Sequence, residues 1–245
     1  MEFPMVRVAV VVCVLLGAAV VPAGAQSAPD RWQVTVAPYL LGAALGGTVG
    51  VRGLDAEIDV PASDIFSHLE FGVMGAVAAR KGAWGVGTDV MYVALGATAD
   101  RPSAEVDFNQ TALAFYGSRR LSPAADLTFG LRVNGLDGQV AATGPSGLVR
   151  TDSKWWVDPL VGLMLRSPDG RRVQFRLYTE IGGFGVGSDF AWQVFPSVGI
   201  RVRERAGLEL GYRWLGTDYE SGQGADQFVW DTLMQGPAMG FTFRF

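Results

Sequence analysis

The chain repeats one pattern along most of its length: large apolar side chains at alternate positions, in segments bounded by glycine, proline and polar residues. A period of two places one set on one face of a β-strand and the intervening set on the other. The first segment, 32–42, carries Trp32, Val34, Val36 and Leu40 on one face, with Tyr39 near its close. The second, 69–80, presents Phe71, Val73, Val77 and Ala79. After a tight turn at 81–83, the third presents Trp84, Val86, Thr88, Val90 and Tyr92, with Asp89 turned away. The fourth, 105–119, reads as Val106, Phe108, Ala112, Ala114 and Tyr116 outward against Glu105, Asp107, Asn109 and Thr111.

The fifth carries Leu127, Phe129, Leu131 and Val133 opposite Arg132 and Asn134. In the sixth, Trp155, Val157, Val161, Leu163 and Leu165 oppose Lys154, Asp158 and Arg166. Val173, Phe175, Leu177 and Ile181 of the seventh oppose Gln174, Arg176 and Glu180. An eighth carries Phe190, Trp192, Val194 and Val198, and a ninth Leu208, Leu210, Tyr212 and Trp214 against Glu209 and Arg213. The last, 235–245, sets Met239, Phe241, Phe243 and Phe245 against Gly240, Thr242 and Arg244.

Connection lengths alternate. Those near 81–83, 120–125, 167–171 and 203–206 are short; those near 43–68, 97–104, 138–148 and 219–233 are long, with 182–189 intermediate. Short turns on one side and longer loops on the other are the habit of membrane barrels, and an even strand count leaves both ends on the short-turn side. The pattern predicts an all-β, transmembrane, antiparallel up-and-down β-barrel of about ten strands, with eight or twelve as alternatives. Alternation alone does not say which face meets lipid. Trp32, Trp84, Tyr92, Tyr116, Trp155, Trp192, Tyr212 and Trp214 near strand ends supply candidate interfacial girdles, which favours apolar-out.

The amino terminus adds a destination. Arg7, an apolar run over 8–21 and small residues at 22–25 read as a signal peptide spanning 1–25, cleaved between Ala25 and Gln26. The remaining 26–245 read as one barrel domain placed in the outer membrane of a Gram-negative cell envelope. Cys13 lies inside the signal, which leaves no disulfide, thiol nucleophile or cysteine metal site beyond it; the lone His68 rules out a histidine-rich one. Net charge is −4 with no basic stripe, so nucleic acid is not an expected partner. An apolar fraction of 49 % without a helical span in that region suits a membrane barrel.

Several stretches carry a resemblance. Pro38-Tyr-Leu-Leu-Gly42, Ser63-Asp-Ile-Phe-Ser-His-Leu-Glu-Phe-Gly72 with the run 79–85, Gly182-Gly-Phe-Gly-Val-Gly-Ser-Asp189, Gly211-Tyr-Arg-Trp-Leu215 with Asp218-Tyr219, and 236–245 resemble a proteobacterial family of uncharacterised outer-membrane β-barrel proteins. The resemblance implies location and fold, and no particular activity. Members of that family often carry asparagine where His68 stands, which argues against His68 as a shared catalytic group. The terminal Phe245 with Phe241 and Phe243 resembles the signal read by the barrel-assembly machinery, an expected partner alongside outer-membrane lipids and lipopolysaccharide.

Candidate chemistry is sparse. Ser67-His68 beside Glu70, with Ser63 and Asp64 near in sequence, offers a base and nucleophile, but neighbours in sequence do not make a triad that must converge in space. The glycines of 182–187 lack the strand-to-helix context of a phosphate loop and read as a tight hairpin. Asp55, Glu57 and Asp59 alternate like a solvated strand face, with a divalent cation as the sharper reading. No cofactor and no catalytic role are expected. The most function-relevant set is the inward row: Asp89, Glu105, Asp107, Arg132, Lys154, Asp158, Arg176, Glu180, Glu209, Arg213 and Arg244. Both signs occur, so the row reads either as ion pairs filling a closed lumen or as the lining of a narrow, porin-like channel. A surface-loop interaction protein is the alternative class.

Overall fold

The computed structural model describes residues 31–51, 54–61, 63, 69–100, 103–142, 149–167 and 171–245. They form twelve strands: β1 (Gln33–Leu41), β2 (Ala44–Val51), β3 (Leu54–Val60), β4 (Leu69–Lys81), β5 (Trp84–Asp100), β6 (Ser103–Ser122), β7 (Ala125–Ala142), β8 (Val149–Arg166), β9 (Val173–Gly183), β10 (Phe190–Arg201), β11 (Ala206–Ser221) and β12 (Phe228–Arg244). Each of β4 to β11 pairs antiparallel with its successor, β1 pairs with β4, and β1 with β12 closes the circle. The result is a closed ten-strand barrel with two extra strands, β2 and β3. Closure removes the unpaired edges that an open sheet would expose to lipid.

The extra strands occupy what the sequence presents as a long loop at 43–68. β1 and β2 lie along β12 in one continuous register, from Thr35↔Arg244 through Leu41↔Ala238 to Ala44↔Gln235 and Val51↔Phe228. Gly42 bridges the break by donating its N–H to the Pro237 carbonyl at 2.8 Å. A Cβ on Gly236 would sit 2.0 Å from the Gly42 oxygen, so this approach requires glycine. The β1–β4 ladder ends at Pro38↔Gly75, where proline has no N–H to continue it. The chain then follows β12 alone and returns as β3, paired to β2 from Leu45↔Val60 to Val51↔Leu54.

Three other long loops also prove to be strand. The β5–β6 ladder runs to Asp100↔Ser103, β7–β8 to Ala141↔Val149 and β11–β12 to Ser221↔Phe228. Backbone pairing needs no lipid-facing side chain, so it continues past the apolar band into polar sequence where apolar alternation gives no signal. The hairpin between β9 and β10 is the low point of this rim. Its turn is built on Gly183, Phe184 and Gly185, all at positive φ.

Strand faces follow the alternation with one exception. Val86, Phe129, Leu131, Phe175, Met239 and Phe241 point outward and are exposed, as a lipid-facing band requires. In β6 the reading of Ala112, Ala114 and Tyr116 as outward is wrong. Phe115 is the exposed residue, Ala112 is buried, and Ala114 and Tyr116 line the lumen. Alanine is indifferent to either face, so the alternation set by Val106 and Phe108 against Glu105 and Asp107 carries no check on its phase by Tyr116; inside, the Tyr116 ring lies over Gly87 of the paired strand. Tyr116 therefore leaves the girdle. Trp32 and Trp84 stand exposed at the short-turn end, and Trp155 stands exposed toward the other. Trp84 and Tyr92 bound the lipid-facing run of β5; their spacing is about 27 Å along the strand and about 20 Å of depth at usual tilt, close to the thickness of such bands.

Candidate functional site

The short turns and both described ends of the barrel share one rim, which membrane barrels direct to the periplasm. From that rim upward, the lumen has three layers. The lowest centres on Asp126 of β7, which is 1 % exposed. Arg166 of β8 grips it with a fork, Nη1 at 2.6 Å and Nη2 at 3.1 Å. Arg80 of β4 donates to the same carboxylate, and Arg120 of β6 stands with Nε 3.6 Å from it. One carboxylate thus ties four strands and serves three guanidinium groups. Beside it, Arg176 pairs with Glu209 at 2.6 Å and Ser197 donates to Glu209 at 2.7 Å. Arg244 reaches Gln174 at 3.4 Å.

The middle layer holds two buried arginines. Arg132, 3 % exposed, pairs with Glu180, which also accepts the Tyr178 hydroxyl at 2.6 Å. Arg213 donates to Gln193 at 2.7 Å and to the Tyr39 hydroxyl at 2.9 Å, and lies 3.5 Å from Asp89; Tyr39 in turn donates to Asp89 at 3.0 Å. Pairing of this kind is what allows charges inside a barrel without prohibitive desolvation.

The outer layer is a seal. Asp158 and Ser188 are wholly buried. Asp158 accepts the Ser188 N–H at 2.6 Å, the Ser188 hydroxyl at 2.9 Å and the Asn134 amide at 2.7 Å. These bonds pull the low β9–β10 turn into the lumen. Above that turn, Trp156 of β8 stacks on Tyr219 of β11 with centroids 4.1 Å apart and planes 8° from parallel. The Trp156 indole N–H donates to Ser188 Oγ at 2.9 Å, locking the stack to the turn. Phe228, Trp230, Met234, Leu136, Met91 and Leu45 join the same buried apolar cluster. The Lys154 amine sits 5.8 Å from the Phe228 ring centroid.

Below the seal a cavity of about 700 Å³ opens at the periplasmic rim. Of the inward row, Asp89, Arg132, Arg176, Glu180, Glu209, Arg213 and Arg244 line it, whereas Asp158 and Lys154 belong to the seal. The balance of charge differs from the even mixture suggested by alternation. Nine arginines line the cavity against three acidic side chains. Asp126, which follows the short connection at 120–125 and is absent from the inward row, is the hub of the lowest layer; it shares the parity of Arg132 and Asn134, and extending β7 by that parity finds it. Tyr39 and Gln193 share the inward parity of their strands, but their pairing with Arg213, like the role of Ser188, depends on contacts between distant strands that the chain does not signal. Ser67, His68 and Asp64 lie outside the described residues, as do the side chains of Glu70, Asp55, Glu57, Glu105 and Asp107. No metal-binding cluster occurs among the described residues.

On the outer surface, past the lipid band, Asp218 and Asp231 face each other across β11 and β12. Partial burial, then Asp231, Asp189 and Glu220, raise the Asp218 carboxyl above the ordinary aspartate range. A raised value in the folded state means a contribution to stability that is complete in acid and lost as pH rises through it. The outer hairpin is thus slightly weakened at neutral pH. Asp231→Asn is expected to stabilise it there by about 0.5 kcal/mol, read as slower amide exchange over 215–234, with no gain once both carboxyls are protonated.

A closed barrel with an apolar exterior, aromatic belts and a paired polar lumen defines a membrane-spanning β-barrel protein. Comparison with solved structures returns proteins of the same architecture at low identity. They include the attachment invasion locus protein Ail of Yersinia pestis (11 % identity, TM-score 0.42, covering 89 % of this chain and 100 % of that one). The outer membrane protease OmpT of Escherichia coli gives 10 % identity and TM-score 0.49 over 91 % of this chain and 99 % of that one. Neisserial surface protein A gives 11 % and 0.35 over 90 % and 100 %. No protein-family profile matches the chain. No curated protein matches it either.

Proposed function

We propose that this protein is an outer-membrane β-barrel of structural type, sealed in its outer half, and not an open porin-like channel. The observation that carries this reading is the apolar seal of Trp156, Tyr219, Phe228 and their neighbours across the lumen, held down by the Ser188–Asp158 bonds. A packed layer of this kind leaves no path for hydrated ions, and a ten-strand lumen is narrow before any packing. The exposed Phe241, Phe243 and Phe245 on the last strand support recognition by the barrel-assembly machinery and insertion among outer-membrane lipids. The reading includes no catalytic step. The hairpins past the lipid band, paired to Asp100↔Ser103 and Ser221↔Phe228, favour surface interaction as the second reading.

Planar-bilayer recording of the purified protein tests the seal. The barrel, shown folded by heat-modifiable migration, is expected to give no discrete conductance steps. Resolved, reproducible steps from the unmodified protein would overturn the sealed reading in favour of a channel.

A further inference from the structure

The cavity under the seal has two chemically different ends. On β4 the inward positions run Ala76, Ala78, Arg80, and the register sets Ala37 of β1 beside Ala76 and Thr35 beside Ala78. On β6 the inward face runs from Ala114 to Arg120. Along β1 and β4 this side of the lumen is therefore shallow and lined by small side chains, with Asp89 next to Ala76 already held by Tyr39 and Arg213, and it is cationic at the periplasmic mouth. Alanine at successive inward positions is what leaves the space; larger side chains would fill it.

The cationic end is incomplete. Arg80, Arg120 and Arg166 share the single carboxylate of Asp126, which leaves two positive charges uncompensated within the cluster. Two of its donors, Arg80 Nη1 and Arg120 Nε, are buried with no hydrogen-bond partner among the described residues. Buried N–H groups without acceptors are rare and costly, the more so on a charged group. The side chains of Arg201 and Arg205, at the same mouth, make no hydrogen bond or ion pair among the described residues and add to the excess.

We propose that this vestibule binds an amphipathic anion entering from the periplasmic side. Its carboxylate or phosphate completes the Arg80–Arg120–Arg166–Asp126 cluster, and its apolar body lies along Ala78, Ala76 and Ala37. Guanidinium groups suit either headgroup because their paired N–H donors match two oxygens at once. The site does not depend on the seal: a conducting barrel would still hold the ligand, so failure of the sealed reading leaves this one standing and the reverse also holds.

The test is calorimetric titration of the full protein in phosphatidylcholine nanodiscs with octyl phosphate, octanoate, octanol and inorganic phosphate. The expected result is saturable binding of octyl phosphate and octanoate at one per barrel. Octanol and inorganic phosphate should each bind at least about tenfold more weakly. Arg80→Gln should weaken octyl phosphate by about tenfold, and Arg120→Gln similarly, while Arg166 keeps its fork on Asp126 and the barrel folds. Ala78→Phe, which fills the groove without removing a charge, should abolish binding and guards against a merely local loss of fold in the arginine variants. Repeating the titration in discs containing phosphatidylglycerol identifies the source: competition points to a lipid headgroup, undiminished binding to a free amphiphile, and both support the site. Equal binding of octanol, equal binding of inorganic phosphate, or no saturable binding of either amphiphile would overturn it, the last meaning that water satisfies the arginines.

Discussion

Replacing Trp156 and Tyr219 together with alanine is expected to make the barrel conduct, where the sealed reading expects the unmodified protein to give no steps. The two rings form the only stacked pair bridging β8 and β11 above the low β9–β10 turn among the described residues, and Trp156 also anchors that turn through Ser188. Truncating a buried tryptophan costs about 3–5 kcal/mol, and the loss of a second ring opens a gap that water can enter between polar neighbours such as Asp158 and Asn134. The barrel should survive, because closure rests on continuous backbone ladders that neither substitution touches. Steps recorded from the double variant should favour anions, since arginines outnumber acids in the vestibule below. Trp155→Ala is the control: it removes the same side chain one position away, on the lipid face, and should remain silent. A silent double variant would mean that the remaining apolar cluster seals the lumen unaided.

The largest effect on stability is expected from Asp126. Its replacement by asparagine removes the one anion shared by Arg80, Arg120 and Arg166, and leaves guanidinium groups clustered without compensation at the periplasmic rim. Breaking a buried pair from one side costs about 3–5 kcal/mol because the abandoned charge stays desolvated. Urea unfolding in lipid vesicles should show a midpoint well below that of the unmodified protein. Arg120→Gln, which gives up only the 3.6 Å contact, should shift it little. Equal loss from both substitutions would show that the cluster acts through packing and not through charge.

Much of the barrel was legible as a strand series because lipid on one side and a polar lumen on the other impose opposite demands on alternate residues. Val86 against Asp89, Leu131 against Arg132 and Phe175 against Arg176 each declare their faces without reference to any other strand. The pattern weakened where one demand was absent. In β6, Ala112 and Ala114 satisfy either face, and Tyr116 reads as outward only by continuing the alternation from Val106 and Phe108. Beyond the lipid band, water lies on both sides, alternation loses its cause, and the ladders up to Asp100 and Ser221 went unread as loops.

The site itself was half visible. The inward row named Arg132, Glu180, Arg213, Asp89 and Asp158 as a set, yet nothing in the chain indicated that Arg132 would take Glu180 while Arg213 took Tyr39 and Gln193. Those choices join residues separated by 48, 174 and 20 positions. They follow from strand register and tilt around a closed circle, which place particular inward positions at the same depth.

By itself, then, the sequence determined the strand class, the outward aromatic and aliphatic band, and the presence of charge inside. Each of these is a local response to solvent on either side of a single strand. Only the closed structure decided that β2 continues β1 along β12 with β3 paired beside it, that Trp156 and Tyr219 stack across the outer lumen, and that three arginines converge on Asp126. These depend on which residues meet across the barrel, and that is set by closure, a property no single strand possesses.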